Sequence, residues 1–381
     1  MKETAILITN SPSPYRIPLF NVLHEELGAR GIGFRVLFGA IGYAHRQWRV
    51  DMRDCLFPYD VLPSSPVTFL DAEGASFNYR GLLHALQREQ PGVIVTNGFS
   101  IATTKVYLRS MVRRTPYLIW SGAIRNCWET ESWLRRLQRT LLIRQATGFV
   151  AYGSRARDYL VELGAPLERV SIGINTVDTA HFRRVPKDID AGREQDGKKR
   201  LLFVGHLTPR KGVDRLLRIV QLLARKRRDF VLDIVGSGSE QSSLQTMSHS
   251  LGIDEYVCFV GFKQKTDIPY YLHRASCFVF PTNHDIWGLA LVEAMAAGLP
   301  CISSLNAGAT YDLIQDGETG FAVDFSEMDN VAEKLHWLLD HPSESERLGM
   351  QAMNFIEKQV TLKKSAEGFV AAIEAAFARD K

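Results

Sequence analysis

The chain has 381 residues, of which 45% are hydrophobic and 23% are charged. This composition is typical of a folded globular protein, and the length favours two domains over a single core. The five cysteines are dispersed, without a CxxC pair or a Cys/His cluster, which argues against a disulfide scaffold or a zinc site and indicates reduced thiols in a cytoplasmic protein. No signal peptide is predicted, and no apolar run reaches the roughly 20 residues of a membrane-spanning helix.

Charge is divided unevenly along the chain. Residues 1–185 contain 23 Lys and Arg against 15 Asp and Glu, a balance of +8, whereas the remainder contains 23 against 27, a balance of −4. Two stretches, 105–114 and 133–144, combine several of the arginines with leucines. They are predicted to be surface helices that pack their leucines inward, or interfacial helices that rest on anionic lipid. Nucleic acid is disfavoured as a partner, because no recognised binding motif accompanies the charge.

In the first half of the chain, short apolar runs alternate with helical patterns. Runs that are apolar on both faces are typical of strands in a parallel sheet covered by helices on both sides. The predicted strands are 5–9, 34–39, 92–98, 116–122 and 148–153. The predicted helices between them include 17–27, 79–89 and 154–164.

The second half repeats this alternation. Its predicted strands are 200–205, 230–236, 257–262, 277–282 and 300–304. A polar segment that contains Pro and Gly separates the two halves. The expected fold is therefore α/β, with two doubly wound Rossmann-like domains facing across a cleft. The predicted boundaries are 1–185 for the first domain, 186–199 for the linker, 200–362 for the second domain and 363–381 for a C-terminal helix that could cross back to the first.

Ligands of such sheets bind beyond the carboxyl ends of the strands, and the first informative turn of this kind is FVGHLTPRKGVDRLL (203–217). A predicted strand ends at Gly205, and Lys211 stands at the entrance of the helix that follows. A lysine beside unpaired helix N–H groups attracts phosphate. The alternative is a lysine that solvates an ordinary loop, and the Walker phosphate motif is absent.

A second glycine-rich turn, IVGSGSE (234–240), follows another predicted strand. Gly236 and Gly238 form G-x-G, but Gln241 stands where the dinucleotide fingerprint has its third glycine. The turn therefore gives little support for NAD. A tight turn that needs glycine for its backbone geometry explains the two glycines equally well.

The third turn is DIWGLALVEAMAAGLP (285–300), in which an apolar helix contains one acid, Glu293. A buried carboxylate is costly unless it accepts hydrogen bonds. Gly288 permits close approach of a ligand, and Asp285 lies on the adjacent loop. Two acids repel a diphosphate but accept hydrogen bonds from vicinal hydroxyls. Together with Lys211, the pattern favours a phosphate-bearing, polyhydroxylated ligand such as a nucleotide sugar.

Over essentially its whole length, the sequence resembles glycosyltransferase family 4, whose members have the GT-B fold. The resemblance is carried by FVGHLTPRKG (203–212), GSGSE (236–240) with FVGF (259–262), VSIGINTVDTAHF (170–182) and DIWGLALVEAMAAGLP (285–300). The last stretch corresponds to the family's E-x7-E element, with Asp285 in place of the first glutamate.

The resemblance implies that Glu293 binds the ribose hydroxyls, that Asp285 contacts the hydroxyls of the transferred sugar, and that Lys211 neutralises the departing diphosphate. These three are the candidate catalytic residues. The family also implies retention of anomeric configuration without a metal, a cofactor or a protein nucleophile, since the donor phosphate acts as the base. The candidate donor-binding residues are Gly205, His206, Arg210, Lys211, Gly236, Gly238, Phe262, Asp285, Gly288, Leu289 and Glu293.

Three departures from the family pattern bear on the site. His206 stands where an arginine usually contacts the diphosphate, and Arg210 is a candidate to replace it. The first loop resembles that of a family subset with a PYR motif, and its Arg16 is either an acceptor or phosphate contact or a structural turn residue. Ser121 or Gly122 occupies the place of a histidine that lies near the reacting sugar in many members, which makes Ser121 a second acceptor-side candidate.

The favoured function is retaining transfer of a sugar from a nucleotide diphosphate sugar to an acceptor held by the first domain. The basic, leucine-rich stretches favour an acceptor on a lipid carrier or a growing surface glycan, at the cytoplasmic face of the cell membrane. Two alternatives stay open. One is a catalytically silent subunit that binds a nucleotide sugar, and the other is an epimerase or hydrolase of nucleotide sugars on the same fold.

Overall fold

The structure is a computed structural model that describes residues 3–42, 47–67, 76–125, 132–186 and 197–379. The chain divides into two compact units, Met1–Val177 with Leu362–Lys381, and Asp178–Thr361. The first unit thus ends eight residues before the predicted boundary at residue 185. The predicted linker, 186–199, lies mostly outside the described residues.

The first unit contains a seven-stranded sheet whose neighbouring strands are all parallel. The strands of the unit are β1 (Thr4–Thr9), β2 (Gly33–Phe38), β3 (Tyr59–Val61), β4 (Ser64–Val67), β5 (Ser76–Tyr79), β6 (Val93–Asn97), β7 (Tyr117–Ser121), β8 (Gly148–Ala151) and β9 (Val170–Ile172). The sheet order is β3-β2-β1-β6-β7-β8-β9, and β4 and β5 form a separate antiparallel hairpin. The direction of winding therefore reverses between β1 and β6, where doubly wound sheets bind ligands.

The five predicted strands of this half correspond to β1, β2, β6, β7 and β8. Their residues are almost all buried because helices cover both faces of the sheet. The sequence does not predict β3 and β9. Each is a three-residue edge strand without an apolar run, and its residues are only partly buried or exposed.

The helices of the first unit that precede residue 178 are α1 (Ile17–Ala29), α2 (Leu82–Glu89), α3 (Ile101–Arg113), α4 (Trp133–Gln145) and α5 (Ser154–Glu162). The basic stretches belong to α3 and α4. The first of the two predictions made for them, that they pack their leucines inward, is wrong for Leu108 of α3 and for much of α4. Of the residues of α4, all of which the structure describes, Leu142 and Ile143 are buried, whereas Trp133 is 71% exposed. The other exposed large apolar residues of the two helices are Leu108, Met111, Val112, Leu134, Leu137 and Leu141. None of the described helices is long and apolar enough to cross a bilayer.

The second unit contains a six-stranded parallel sheet of order β12-β11-β10-β13-β14-β15. Its strands are β10 (Lys199–Val204), β11 (Phe230–Val235), β12 (Val257–Gly261), β13 (Cys277–Phe280), β14 (Cys301–Ser304) and β15 (Phe321–Val323). The first five were predicted by their apolar runs, whereas β15 is another three-residue edge strand. The winding reverses between β10 and β13, so the loops that follow these two strands lie side by side at the carboxyl edge of the sheet.

The helices of the second unit are α6 (Thr179–Arg183), α7 (Val213–Ala224), α8 (Gln241–Ser250), α9 (Ile268–Arg274), α10 (Leu289–Ala296), α11 (Thr310–Leu313), α12 (Met328–Asp340) and α13 (Pro342–Gln359). α6 packs against α9 and α10, and its Phe182 is fully buried. This packing places the chain from residue 178 onward in the second unit, earlier than the sequence predicts.

The C-terminal helix, α14 (Leu362–Arg379), belongs to the first unit, where it packs against α1, β8 and β9. Phe369 contacts the ring of Trp120 on β7 at 5.1 Å between centroids. Gly368 lies so close to β9 that a Cβ atom would stand 2.1 Å from the carbonyl oxygen of Ile172. The helix is therefore an integral part of the first core.

Candidate active site

The loop after β10 is bent sharply before α7 begins. Pro209–Lys211 form one 3-10 turn, and Gly212 follows with φ of 66°. A Cβ atom on Gly212 would lie 2.3 Å from the carbonyl oxygen of Pro281, which follows β13. Glycine is required here because no side chain fits between the two loops, and the left-handed backbone adds to that requirement.

Backbone and side-chain hydrogen bonds join these two loops into one structure. The carbonyl oxygen of Arg210 accepts from the N–H of Asn283 at 2.8 Å and from the hydroxyl of Thr282 at 3.0 Å. In return, the Arg210 guanidinium donates to the carbonyl oxygen of His284 at 2.8 Å. The residues that follow β10 and β13 are therefore held in fixed register at the switch point of the sheet.

The central contact of the site is an ion pair between Lys211 and Asp285. Lys211 Nζ lies 2.5 Å from Asp285 Oδ2, and Arg210 Nη1 lies 3.5 Å from the same oxygen. Asp285 Oδ1 accepts from the backbone N–H of Trp287 at 3.2 Å. Burial opposes ionisation of Asp285, but the charges of Lys211 and Arg210 outweigh it and lower its pKa below the usual value. Asp285 is thus a carboxylate flanked by two cations.

Glu293 lies in α10 and is 3% exposed, as the apolar sequence around it predicts. Burial raises its pKa from 4.5 to about 8, and the charge of Lys265 opposes this rise. Among the described residues, none donates a hydrogen bond to the Glu293 carboxyl group. The acid is therefore predominantly protonated near neutral pH, and a ligand or a water molecule would have to supply its hydrogen-bond partners.

Gly288, the residue before α10, has φ of 111°, and a Cβ atom there would lie 2.5 Å from the ring of Phe280. The same ring lies 5.3 Å from Lys211 Nζ. Position 288 thus requires glycine for two reasons: its φ is positive, and the Phe280 ring occupies the space that a side chain would need. Leu289, the first residue of α10, is partly exposed.

The glycines of the second turn are explained by contact between loops. A Cβ atom on Gly236 would lie 1.8 Å from the carbonyl oxygen of Gly205, and one on Gly238 would lie 2.2 Å from that of Leu207. The N–H of Leu207 donates to the carbonyl oxygen of Ser237 at 3.0 Å. Gly236 and Gly238 are therefore explained by close approach of the two loops, because the protein's own backbone fills the space that a side chain at either position would need.

Several side chains at this carboxyl edge are open to solvent. His206 is exposed after β10, and Phe262 is exposed directly after β12. Ile286 and Leu305, which sequence reasoning missed, are exposed after β13 and β14. Their signal in the sequence is position, since each is an apolar residue in the loop that follows a predicted strand.

The acceptor-side candidates lie in the first unit, at the carboxyl ends of its strands. The Arg16 guanidinium carbon stands 3.9 Å from the centre of the Trp120 ring, and Arg16 Nη2 donates to the hydroxyl of Tyr152 at 2.5 Å. Ser121 is buried, and its hydroxyl accepts from the backbone N–H of Ala123 at 3.1 Å. The structure therefore brings Arg16 together with two aromatic residues that the sequence did not single out, and turns Ser121 towards its own loop.

No group of three or more His, Cys, Asp or Glu side chains suited to hold a metal occurs in the part of the chain that the structure describes. The sequence also contains Asp188-Ile189-Asp190, which resembles the D-x-D motif of metal-dependent transferases. Its place in the predicted linker favours a chance match, and it lies outside the described residues.

Comparison with solved structures defines the class of fold. The chain aligns with the structure of Anabaena Alr3699/HepE in complex with UDP at a TM-score of 0.79 and 17% identity, covering 98% of this chain and 100% of that one. It aligns with WaaG, a glycosyltransferase involved in lipopolysaccharide biosynthesis, at a TM-score of 0.68 and 17% identity, covering 97% and 98%. The protein has the GT-B fold: two parallel-sheet, Rossmann-like halves.

Sequence comparison points to glycosyltransferases. Residues 185–355, which are 171 of the 381 residues, match the family model described as Glycosyl transferases group 1. The chain is 33% identical over 144 residues to an uncharacterized glycosyltransferase of Haemophilus influenzae, covering 38% of this chain and 40% of the relative. It is 28% identical over 229 residues to glycogen synthase of Mycobacterium tuberculosis, covering 60% and 52%.

A third relative is the GDP-mannose-dependent alpha-(1-6)-phosphatidylinositol monomannoside mannosyltransferase of Mycolicibacterium smegmatis. It is 32% identical over 196 residues, which cover 49% of this chain and 50% of the relative. The chain thus spans about half the length of these curated relatives. The matched family segment, 185–355, contains Lys211, Asp285 and Glu293.

Proposed function

We propose that the protein is a glycosyltransferase that moves a sugar from a nucleoside diphosphate sugar to an acceptor. The observation that carries the proposal is the ion pair of Lys211 and Asp285 at the switch point of the second sheet, within the segment that matches the glycosyltransferase family model. Both parts of such a donor find suitable partners there. The diphosphate is matched by cations, and the hydroxyl groups are matched by carboxyl oxygens.

The charges of the site suit a departing diphosphate. Lys211 and Arg210 contribute two positive charges against the single negative charge of Asp285, so the cluster carries a net charge of +1. As the bond to the sugar breaks, negative charge accumulates on the diphosphate, and cations already fixed in place stabilise it without reorganising. Arg210 thereby takes the role that the family assigns to an arginine at the position of His206. Metal independence is part of the proposal, because these cations supply the neutralising charge.

The two acids suit the hydroxyl groups of the donor. Glu293 in its protonated form donates one hydrogen bond and accepts others, which matches a pair of ribose hydroxyls. Asp285 is ionised and only accepts, which matches the hydroxyls of the transferred sugar. Ribose hydroxyls would supply the partners that the buried Glu293 lacks among the described residues.

We further propose that transfer retains the anomeric configuration, with the donor phosphate as the base and no protein nucleophile. This part rests on the resemblance to the family, as does the assignment to a subset with a PYR motif. Similar proteins support a nucleotide-sugar donor: two solved structures of Alr3699/HepE are complexes with UDP or UDP-glucose, and the mannosyltransferase is GDP-mannose-dependent.

The acceptor proposed is a lipid-linked or surface-glycan intermediate at the inner face of the cell membrane. The supporting observation is the exposure of Trp133, Leu134 and Leu137 on α4, beside the arginines of the same helix. An exposed apolar stripe flanked by arginines suits the interface of an anionic bilayer, where it inserts its apolar side chains among the headgroups.

Donor binding is tested by thermal denaturation with UDP, GDP, ADP, TDP and the corresponding nucleotide sugars. A ligand at 100 times its Kd stabilises the folded state by about 2.7 kcal/mol, which is a clear shift in Tm. The nucleotide that binds is then offered as its sugar, and the anomeric configuration of the product is read by NMR. Absence of a shift with all of them would contradict the proposal, and binding without transfer would favour a silent binding subunit.

A further inference from the structure

Arg16 carries a positive charge that has no carboxylate partner among the described residues. It is the residue before α1, and its side chain is partly exposed. Its guanidinium carbon lies 3.9 Å from the ring centre of Trp120 and 5.1 Å from that of Tyr152. Aromatic faces stabilise a guanidinium but leave its N–H donors unused. The cation is therefore held in place by rings and not by an acid.

The donors of this cluster are only partly satisfied. Arg16 Nη2 donates to the Tyr152 hydroxyl at 2.5 Å. Arg16 Nη1 is buried and has no acceptor among the described residues, and the same is true of the indole Nε1 of Trp120, a residue that is 1% exposed. Buried donors without acceptors are rare in folded proteins, and these two call for an acceptor from outside the chain, such as a water molecule or an anionic ligand.

The position of Tyr152 in this cluster depends on the glycine at position 122. A Cβ atom on Gly122 would lie 2.3 Å from Cδ2 of Tyr152, so the tyrosine ring occupies the space that a side chain at position 122 would need. This is the place after β7 where the family pattern leads one to expect a histidine. In this chain the space is instead filled by Tyr152, which follows β8 and accepts a hydrogen bond from Arg16 in the loop after β1.

The loop that carries Arg16 is fixed locally. The carbonyl oxygen of Ser13 accepts from the N–H of Arg16 at 2.9 Å and from that of Ile17 at 3.1 Å, and Pro12 before it is buried. Arg16, Trp120 and Tyr152 all belong to segments at the carboxyl edge of the first sheet, where α/β sheets bind ligands. A fixed cation at this edge is suited to orient a ligand.

We infer that Arg16, seated on Trp120 and hydrogen-bonded to Tyr152, binds an oxyanion of the acceptor, so that the acceptor is an anionic saccharide that bears a carboxylate or a phosphate. The inference rests on the proposed function, since it names the substrate class of the acceptor side. An oxyanion supplies the acceptor atoms and the negative charge that the guanidinium lacks.

The test uses the full chain with inorganic phosphate, glucuronate and neutral glucose as ligands, at constant ionic strength. Three variants are compared with the unmodified protein. Arg16→Met removes the charge but keeps an unbranched chain that can lie on Trp120. Arg16→Lys keeps the charge but loses the planar fork. Arg30→Met removes an exposed arginine at the other end of α1, where it pairs with Glu26, and controls for the loss of one positive charge.

At least one of the two anions is expected to bind the unmodified protein and Arg30→Met equally, measured by calorimetry. The Kd should rise about tenfold or more in Arg16→Met and less in Arg16→Lys. Preference for phosphate or for glucuronate identifies the anionic group, and glucose should show no dependence on Arg16. If Arg16→Met fails to fold, Arg16→Lys still decides, since an unchanged Kd in that variant contradicts recognition by the planar fork.

Three results would overturn the inference: no anion binding by the unmodified protein, equal binding by Arg16→Met, or equal weakening in Arg30→Met. The thermal shift with the nucleotide is measured on the same samples and should be unchanged by all three substitutions. If no nucleotide binds, the proposed function fails while the dependence of anion binding on Arg16 is still measured.

Discussion

Lys211 Nζ lies 2.5 Å from Oδ2 of Asp285, across 74 residues of sequence, in a region where both side chains are about nine-tenths buried. Each group thus stabilises the other in a place where either would be costly alone. On the proposed function, donor binding must share or exchange these interactions, since the amine proposed to bind phosphate is the same amine that neutralises the carboxylate.

Lys211→Met is expected to abolish transfer and to lower the free energy of unfolding by about 3 kcal/mol, because it leaves the buried Asp285 facing Arg210 alone. In the double variant Lys211→Met with Asp285→Asn, part of the stability should return while transfer stays lost. Urea unfolding of the two single variants and the double variant measures the coupling, expected at about 1–3 kcal/mol. Strictly additive effects would show that the two side chains are not paired in solution.

Glu293 predicts how stability without ligand depends on pH. Its pKa rises from 4.5 in the unfolded chain to about 8 in the folded protein. Between these values the folded state binds more protons than the unfolded state, so stability falls as pH increases and levels off above the folded pKa. Over three pH units in this window, the free energy of unfolding should fall by about 4 kcal/mol at most.

Urea unfolding of the unmodified protein and of Glu293→Gln, measured from pH 5 to 8.5, tests this pH dependence. The difference in unfolding free energy between the two proteins should grow in favour of the glutamine variant as pH rises. A constant difference over the whole range would mean that Glu293 is ionised throughout.

Gly236→Ala is expected to be severely destabilising, because the added methyl group would overlap the carbonyl oxygen of Gly205. A loss of about 2–3 kcal/mol is expected from overpacking of this kind. Gly252→Ala is the matched control, since Gly252 also has positive φ, 67°, but nothing lies within 4 Å of its added Cβ atom. Its cost should be about 1 kcal/mol, from backbone strain alone. Similar Tm losses in the two variants would argue against the close approach.

The exposed face of α4 predicts binding to membranes. The protein should sediment with vesicles that contain anionic lipid and much less with zwitterionic vesicles, and added salt should weaken the binding. Trp133→Ser combined with Leu137→Ser should reduce it at least several-fold, because both side chains are exposed apolar anchors. Met350→Ser, which alters an exposed apolar residue on α13, is the control. Equal sedimentation of all variants would contradict the proposed surface.

The central strands of both sheets could be predicted because each is an apolar run covered on both faces. The three-residue edge strands β3, β9 and β15 could not, since backbone pairing to a neighbour defines them and side-chain pattern does not. The burial of Glu293 followed from its apolar neighbours. The exposure of the leucines on α4 could not be predicted, because an amphipathic helix has the same leucine pattern whether its apolar face packs on protein or on lipid.

The sequence predicted which residues lie near the strand ends of the candidate site, but not which of them contact each other. The lysine, the aspartate and the glycines of the three turns stand close to strand ends, and local sequence shows that. The pairing of Lys211 with Asp285, and the seat of Arg16 on Trp120 and Tyr152, depend on strand order. Strand order joins residues far apart in the chain and has no local signature.

The interlock between the turns of Gly236 and Gly205 constrains how the protein can change. A clash with a side chain can be relieved by a second substitution, but a clash with a main-chain carbonyl cannot, because every residue type has the same oxygen. No suppressor side chain exists for Gly236→Ala at position 205, and the same holds for Gly238 against Leu207. On the proposed function, variation that alters the choice of donor must therefore arise elsewhere at this edge, at exposed side chains such as Phe262, Ile286 and Leu305.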